Sequence, residues 1–198
     1  MIMRNIVFLL IAMALFACNT EQSTEGDVHF QRGEFALAVE SYNEYLNSNP
    51  ANIKTVYNRG RSYEELGQFE AAVSDFQDVL KMDEKNLSAM LSISTVRYEQ
   101  KRYNQCLLQA EEALEIRPNS AQAHFLIARS KHQLGYVESA MESYDQALKI
   151  NRDYGEAYLY RGALKVTSNN PRGACDDFIK ARNLKVEGAD AAYSKYCR

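Results

Sequence analysis

The stretch from residue 53 to residue 86 reads IKTVYNRGRSYEELGQFEAAVSDFQDVLKMDEKN. Within it, small and aromatic residues occur at Gly60, Tyr63, Gly67, Phe69, Ala72 and Phe76. Strand-like alternation is absent from the chain and proline and glycine are few, so helices should dominate. Glycine adopts the positive backbone angle that ends many helices, so Gly67 predicts a turn between two of them. The stretch therefore predicts one antiparallel helical hairpin.

The same pattern returns every 34 residues. Pro50 and Pro118, which fit the ends of two repeats, lie two such periods apart. The matching residues are Gly26, Gly33, Phe35, Ala38 and Tyr42 before the stretch, and Ser94, Tyr103, Cys106, Ala110, Ala128, Gly135, Ala140, Tyr144, Ala147, Gly162, Ala174, Phe178 and Ala181 after it. In the last copy Asn170 and Pro171 replace the glycine turn as an N-cap and a first-turn proline. We predict copies at residues 19–52, 53–86, 87–120, 121–154 and 155–188.

This repeat resembles the tetratricopeptide repeat (TPR) family. The resemblance implies an all-α fold, an α-α superhelix of about five helical hairpins within residues 18–188. Small residues such as Gly60 let paired helices approach closely, and the aromatic near Phe76 fills the gap to the next hairpin. The first helices should line a concave groove and the second helices the convex back. Residues 189–198 should form a capping helix, because the end of a solenoid must be covered.

The first 17 residues are typical of a signal peptide. Arg4 precedes an apolar run at residues 6–17 that is too short to span a bilayer. The segment Leu15-Phe16-Ala17-Cys18 resembles the lipobox of bacterial lipoproteins, although that family more often has a small residue at the Phe16 position. The resemblance implies cleavage after residue 17, lipidation of Cys18 and attachment to the bacterial cell envelope, at the outer membrane facing the periplasm or at the cell surface. The alternative is an ordinary secretory peptide.

The other three cysteines have different expected roles. Cys106 occupies a tight small-residue slot and should be a buried hydrophobe. Cys175 and Cys197 are disulfide candidates, because export would place them in an oxidising compartment. Their surroundings, Arg-Gly-Ala-Cys and Tyr-Cys, also resemble the ending of exported repeat proteins. The alternative is two unpaired thiols.

Catalysis, a metal site and a cofactor are not expected. The histidines are only His29, His124 and His132, and neither Cys-x-x-Cys nor His-Glu-x-x-His spacing occurs. No phosphate-binding glycine loop or nucleophile elbow is present. The formal net charge of -3 gives no basic surface for nucleic acid, and no small-molecule substrate is expected.

Function should therefore lie in binding other proteins or peptides through the groove. The TPR resemblance assigns the groove to the second, fifth, sixth, ninth, twelfth and thirteenth positions of each copy, which select Lys54, Tyr57, Asn58, Arg61, Tyr98, Phe125, Arg129 and His132. Aromatic and cationic side chains side by side suit an extended peptide or a partner helix. The sequence favours an adaptor or assembly scaffold for outer-membrane protein, pilus or cell-wall machinery. The alternative is a surface-exposed accessory lipoprotein of nutrient capture or import.

Overall fold

The computed structural model describes residues 25–197. The expected signal peptide and Cys18 lie outside the described residues. All regular secondary structure in this range is helical. The helices are α1 (25–31), α2 (Phe35–Ser48), α3 (Ile53–Glu65), α4 (Phe69–Met82), α5 (Leu87–Glu99), α6 (Tyr103–Ile116), α7 (Ala121–Gln133), α8 (Val137–Ile150), α9 (Gly155–Thr167), α10 (Pro171–Asn183) and α11 (Ala189–Tyr196). The predicted all-α fold of helical hairpins is confirmed.

Local chemistry sets where the helices turn. Gly33, Gly67 and Gly135 have φ values of 75°, 70° and 84°, in the left-handed region that glycine enters without steric cost. Asn52 caps α3 by accepting a 3.0 Å hydrogen bond from the backbone N–H of Thr55. These turns between consecutive helices are thus specified by short-range features of the sequence.

The turn before α10 uses the chemistry that the sequence predicts. The side chain of Asn170 caps the helix by accepting a 3.0 Å bond from the N–H of Gly173, and Pro171 occupies the first helical position. The left-handed residue here is Asn169, with a φ of 55°. Asparagine tolerates this conformation better than most residues do, so the turn forms without glycine.

The described chain falls into two compact units, and their boundary lies inside α5, between Ser92 and Ile93. In unit 1 (residues 25–92), α3 packs against α2 and α4, and the fully buried rings of Tyr42 and Phe76 fill the space between them. Alanines at Ala38 and Ala72 are also fully buried, which allows close helix approach.

In unit 2 (residues 93–197), each of α7, α8, α9 and α10 packs against its neighbours in the chain, and α11 lies against α9 and α10. Leu164 and the rings of Tyr144 and Phe178 are fully buried, and Phe178 stacks on Tyr196 of α11 with the ring centroids 6.0 Å apart. Cys175 and Cys197 are joined by a disulfide that spans 22 residues, with their Cα atoms 5.5 Å apart. Cys106 is a free, fully buried thiol.

The same ionic contact recurs inside two hairpins, one hairpin in each unit. In unit 1, the guanidinium of Arg59 donates two hydrogen bonds, of 2.7 and 2.8 Å, to the carboxylate of Asp75. In unit 2, Arg161 donates in the same way to Asp177, with bonds of 2.6 and 2.9 Å. Each pair links the first helix of a hairpin to the second, and the two pairs lie three repeat periods apart. The sequence analysis did not identify this contact.

Candidate functional site

The candidate site consists of two surfaces, which we call the first-helix faces. Each is formed by side chains from the first helices of the hairpins: α1, α3 and residues 87–92 in unit 1, and residues 93–99, α7 and α9 in unit 2. These helices carry seven of the eight predicted groove residues as partly or fully exposed side chains; Phe125 is the exception.

In unit 1, Asp27 gathers two of the predicted groove residues around its carboxylate. Lys54 donates from Nζ to Oδ2 at 2.7 Å, and Asn58 donates from Nδ2 to Oδ1 at 2.8 Å. The hydroxyl of Tyr42 donates a third bond of 2.8 Å. Burial acts to raise the pKa of Asp27, but the bonds from Lys54, Tyr42 and Asn58 outweigh it and hold that pKa below its ordinary value of 3.8. Lys54 and Asn58 therefore already donate hydrogen bonds to an acceptor of their own chain, Asp27.

The remaining predicted residues of unit 1 also have partners within the protein. The hydroxyl of Tyr57 lies 3.1 Å from Oγ of Ser92, and its ring packs 5.4 Å from that of Phe76. Nε of Arg61 lies 2.9 Å from a carboxylate oxygen of Glu64, and its Nη2 lies 3.7 Å from Glu65. The positive charge of Arg61 is thus neutralised by its own helix.

In unit 2, three consecutive first helices bring two tyrosines onto one arginine. The guanidinium carbon of Arg129 lies 3.8 Å from the ring centroid of Tyr98 and 4.8 Å from that of Tyr160. All three side chains are half-buried. A cation over an aromatic face is attracted by the ring quadrupole, and partial burial strengthens that attraction. This arrangement, which we call the arginine cluster, holds a positive charge in a defined place on the unit 2 face.

A layer of aromatic rings supports the arginine cluster from beneath. Phe125 packs 4.7 Å from the ring of Tyr154, 5.8 Å from Tyr160 and 6.2 Å from Tyr144. Phe125 is only 6% exposed, so its predicted role as a groove contact is corrected to that of a core residue. The helical spacing of α7 puts it on the buried side, where it positions Tyr160 and the guanidinium of Arg129, 5.6 Å away.

Three polar atoms on α7 and α8 are buried without a hydrogen-bond partner among the described residues: Nε of Arg129, Oγ of Ser130 and the hydroxyl of Tyr144. Burial raises the pKa of Tyr144, and the nearby charge of Arg129 lowers it only in part. Burial likewise raises the pKa of Tyr98, against the opposing effect of Arg129. Both phenols therefore remain protonated at neutral pH and keep their ability to donate.

His132 lies one turn beyond Arg129 on α7 and is half-buried. Burial lowers the pKa of its imidazole below the ordinary value of 6.5. The ring is therefore uncharged at neutral pH, and it offers hydrogen bonds rather than a second positive charge.

Two residues that the sequence analysis did not name, Asp27 and Tyr160, are central to the faces. The groove positions that selected the other residues also include these two. Asp27 is the ninth residue of the first copy and Tyr160 the sixth of the fifth copy, and both positions are groove positions of the TPR resemblance. Tyr144 and Tyr154 belong to second-helix and loop positions, and no groove signal marks them.

Other kinds of site do not emerge from the described residues. Within residues 25–197, no group of three or more His, Cys, Asp or Glu side chains is arranged to hold a metal ion. In the same range, no helix combines the length and apolar character needed to cross a bilayer.

Comparison with known proteins agrees with the hairpin pattern. The tetratricopeptide repeat family matches residues 53–86 and 121–154, so the chain contains TPR repeats. No functionally curated protein matches the sequence.

Three solved structures illustrate the fold. PilF of Pseudomonas aeruginosa is 17% identical and aligns over 90% of this chain and 88% of its own with a TM-score of 0.74. TTC0263, a TPR protein of Thermus thermophilus, is 20% identical over 90% and 96% with a TM-score of 0.72. YrrB, described as a TPR protein with an unusual peptide-binding site, is 17% identical over 86% and 88% with a TM-score of 0.62. At these identities the likeness shows the fold, which is typical of protein–protein interaction scaffolds.

Proposed function

We propose that this protein is a lipid-anchored lipoprotein of the bacterial cell envelope that binds other proteins through its first-helix faces. It acts as an adaptor or assembly scaffold for envelope machinery, with outer-membrane protein, pilus or cell-wall assembly as the candidate settings, and not as an enzyme. The TPR fold and the peptide-binding site described for YrrB support the binding role. The lipobox-like segment from Leu15 to Cys18 supports the anchor.

The arginine cluster is the observation that carries the binding role. Tyrosine offers wide contact area at small entropic cost, and arginine combines charge with several directed donors; both are enriched where binding energy concentrates. In unit 1, Lys54 and Asn58 donate to Asp27, and the charge of Arg61 lies 2.9 and 3.7 Å from the carboxylates of Glu64 and Glu65. Nε of Arg129 is buried without a hydrogen-bond partner among the described residues, as is Nε of Arg61, but the guanidinium of Arg129 lies against the rings of Tyr98 and Tyr160.

Replacing Tyr98 by alanine should greatly reduce the recovery of partner proteins. The substitution removes the ring that lies 3.8 Å from the guanidinium of Arg129, so the cation loses the nearest of its aromatic contacts and is held less firmly in place. Recovery is measured by mild cross-linking in native membranes, purification of the tagged full chain and identification of the co-purified subunits.

Tyr193→Ala is the matched control for this experiment. Tyr193 is also a half-buried tyrosine under an arginine, with the guanidinium carbon of Arg182 4.4 Å from its centroid, but it lies on α11. Circular dichroism should show both variants to be helical. Equal recovery by the two variants would remove the unit 2 face from the proposal. Envelope-assembly subunits among the partners support the scaffold role, whereas a nutrient transporter would replace it with the accessory role.

The Cys18→Ala variant tests the anchor separately. Without the thiol that accepts the diacylglyceryl group, the chain should appear in the soluble fraction rather than in membranes, because the acyl chains provide stable attachment. The measurement is fractionation of cells with and without detergent. Membrane association that still requires detergent in the variant would contradict lipidation at this position.

A further inference from the structure

A cleft of about 490 Å³ opens on unit 1 between α2, α3 and α4. Its apolar lining includes Leu46, Val56 and Met82, and Arg59 is its cationic residue on α3. None of the predicted groove residues lines it. Successive residues of a helix are turned by about 100°, so Val56 and Arg59 lie on the side of α3 opposite the groove residues. The cleft is therefore a different surface from the first-helix face.

Unit 2 repeats the surroundings of this arginine three repeat periods later, at α8, α9 and α10. In both units the guanidinium donates from Nε and Nη2 to a carboxylate on the following helix, and from Nη1 to a side-chain oxygen on the preceding helix. The residues are Arg59, Asp75 and Asn43 in unit 1, and Arg161, Asp177 and Asp145 in unit 2. The two arginines are thus held by equivalent bonds in equivalent places.

The units differ in what covers the arginine. In unit 2 the ring of Tyr158 lies with its centroid 5.5 Å from the guanidinium carbon of Arg161. The equivalent residue in unit 1 is Val56, which has no ring, and the ring of Tyr63, one turn along α3 from Arg59, does not line the cleft. Arg59 accordingly faces an open cleft, and its side chain is 22% exposed against 16% for Arg161.

We propose that the unit 1 cleft receives an aromatic side chain of a partner polypeptide, which lies over Arg59 as Tyr158 lies over Arg161. This contact is separate from binding through the first-helix faces and adds a second docking surface to the protein. A guanidinium whose edge is hydrogen-bonded to a carboxylate still presents its flat face, and an aromatic ring is the group that this face attracts.

The rest of the cleft also suits a neutral ring. Arg59 is already paired with Asp75, and Nζ of Lys81 lies 2.7 Å from the carboxylate of Asp78, so the charges at the cleft have partners within the chain. The thioether of Met82, which is 37% exposed, lies in the lining and can contact the edge of a ring favourably. A charged side chain would gain no unpaired opposite charge here, whereas a ring gains both apolar and cation–π contact.

A related cleft in unit 2 offers a matched control. It lies between α6, α7 and α8, has a volume of about 350 Å³, and is two repeat periods from the unit 1 cleft. His124 and Ile127 line it at the positions of Val56 and Arg59. Isoleucine carries no charge, so this second cleft lacks the cation that selects a ring.

Selection from a random displayed peptide library tests the proposal. The full chain should enrich a class of peptides with Phe, Tyr or Trp at a fixed position. Val56→Tyr should lose this class, because its own ring takes the place over Arg59. His124→Tyr, which adds the same ring to the related cleft, should retain the class, and so should Tyr98→Ala, which alters the unit 2 face.

The Val56→Tyr protein should fold, because the chain accommodates Tyr158 at the same position of its repeat. Circular dichroism and urea unfolding check this, and Val56→Phe repeats the selection with a smaller ring. Loss of the peptide class from both folded variants is the result expected.

Synthetic copies of an enriched peptide measure what the ring contributes. Replacing its aromatic residue by leucine should weaken binding to the full chain about fivefold or more, since leucine keeps apolar contact but not the attraction to the guanidinium. Equal binding of the leucine peptide, or retention of the peptide class by Val56→Tyr, overturns this inference and leaves the first-helix faces as the binding surface. Self-association of the purified chain that Val56→Tyr abolishes would assign the cleft to a second copy and overturn the inference as well.

Discussion

Replacement of Asp177 by alanine should lower the free energy of unfolding by about 3–5 kcal/mol, the range for removal of one partner from a buried ion pair. Asp177 is 3% exposed, and its carboxylate accepts two hydrogen bonds from Arg161. Nζ of Lys165 lies a further 2.7 Å from it. The side chains of Arg161 and Lys165 are only 16% and 17% exposed, so the substitution leaves two poorly hydrated cations beside each other without their shared acid.

Asp145 and Asp75 provide controls for this prediction. Asp145 also accepts from Arg161, at 2.6 Å, but its side chain is 55% exposed, so Asp145→Ala should cost less than about 1 kcal/mol. Asp75→Ala leaves a single cation, Arg59, so its loss in the free energy of unfolding should lie between those of Asp177→Ala and Asp145→Ala. Urea unfolding of the full chain, followed by circular dichroism, gives the three values. If Asp177→Ala lowers the free energy of unfolding no more than Asp145→Ala does, water stabilises the two cations as well as the carboxylate of Asp177 did.

The helical hairpins could be predicted from the sequence because their signals are short-range and repeated. The turn at Gly67 needs a positive φ, and the turn before α10 needs the Asn170 cap and Pro171. Each of these requirements is met within a few residues. Repetition at 34-residue intervals then adds evidence that no single hairpin provides, since the same chemistry must be satisfied in every copy.

The faces were only partly predictable, because a groove position fixes where a side chain lies but not what it meets. Asp27 and Arg129 occupy the same position of their repeats, yet one binds three donors of its own chain and the other retains an unpaired donor atom. Phe125 is a second example. It occupies a groove position, but the rings of Tyr154 and Tyr160 pack on it, and the position alone does not predict that contact.

The ionic ties within the hairpins were missed for a related reason. Arg59 and Asp75 are 16 residues apart and sit on different helices, as are Arg161 and Asp177. On a single helix each would be read as an ordinary solvated charge, since charged residues are mostly exposed. Only the packing of the two helices brings the members of each pair together and buries the acid to 4% and 3% exposure.

Phe178→Ala should also cost about 3–5 kcal/mol, because the ring is fully buried and its removal leaves a cavity. The ring also stacks on Tyr196, so the loss should loosen α11. Phe76→Ala, at the equivalent position of unit 1, is the matched control: it is equally buried, and its loss should leave α11 unaffected. Hydrogen exchange of the α11 amides distinguishes the two variants.

Gly162 faces the ring of Phe178, and the effect of Gly162→Ala on stability should depend on that ring. The substitution should be destabilising when the ring is present and stabilising when it is absent. A methyl group added at Gly162 would lie 2.7 Å from Cε1 of Phe178, so Gly162→Ala alone should destabilise by about 1–3 kcal/mol through overpacking. In the Phe178→Ala protein both of the nearest ring atoms, Cε1 and Cδ1, are gone, and the next nearest atom, the backbone oxygen of Ala174, lies at 3.3 Å and must yield only slightly. Alanine is favoured over glycine inside a helix by about 0.5–1 kcal/mol, so the same substitution should then stabilise. Equal effects of Gly162→Ala in both backgrounds, measured by urea unfolding, would show that the ring does not set the helix spacing here.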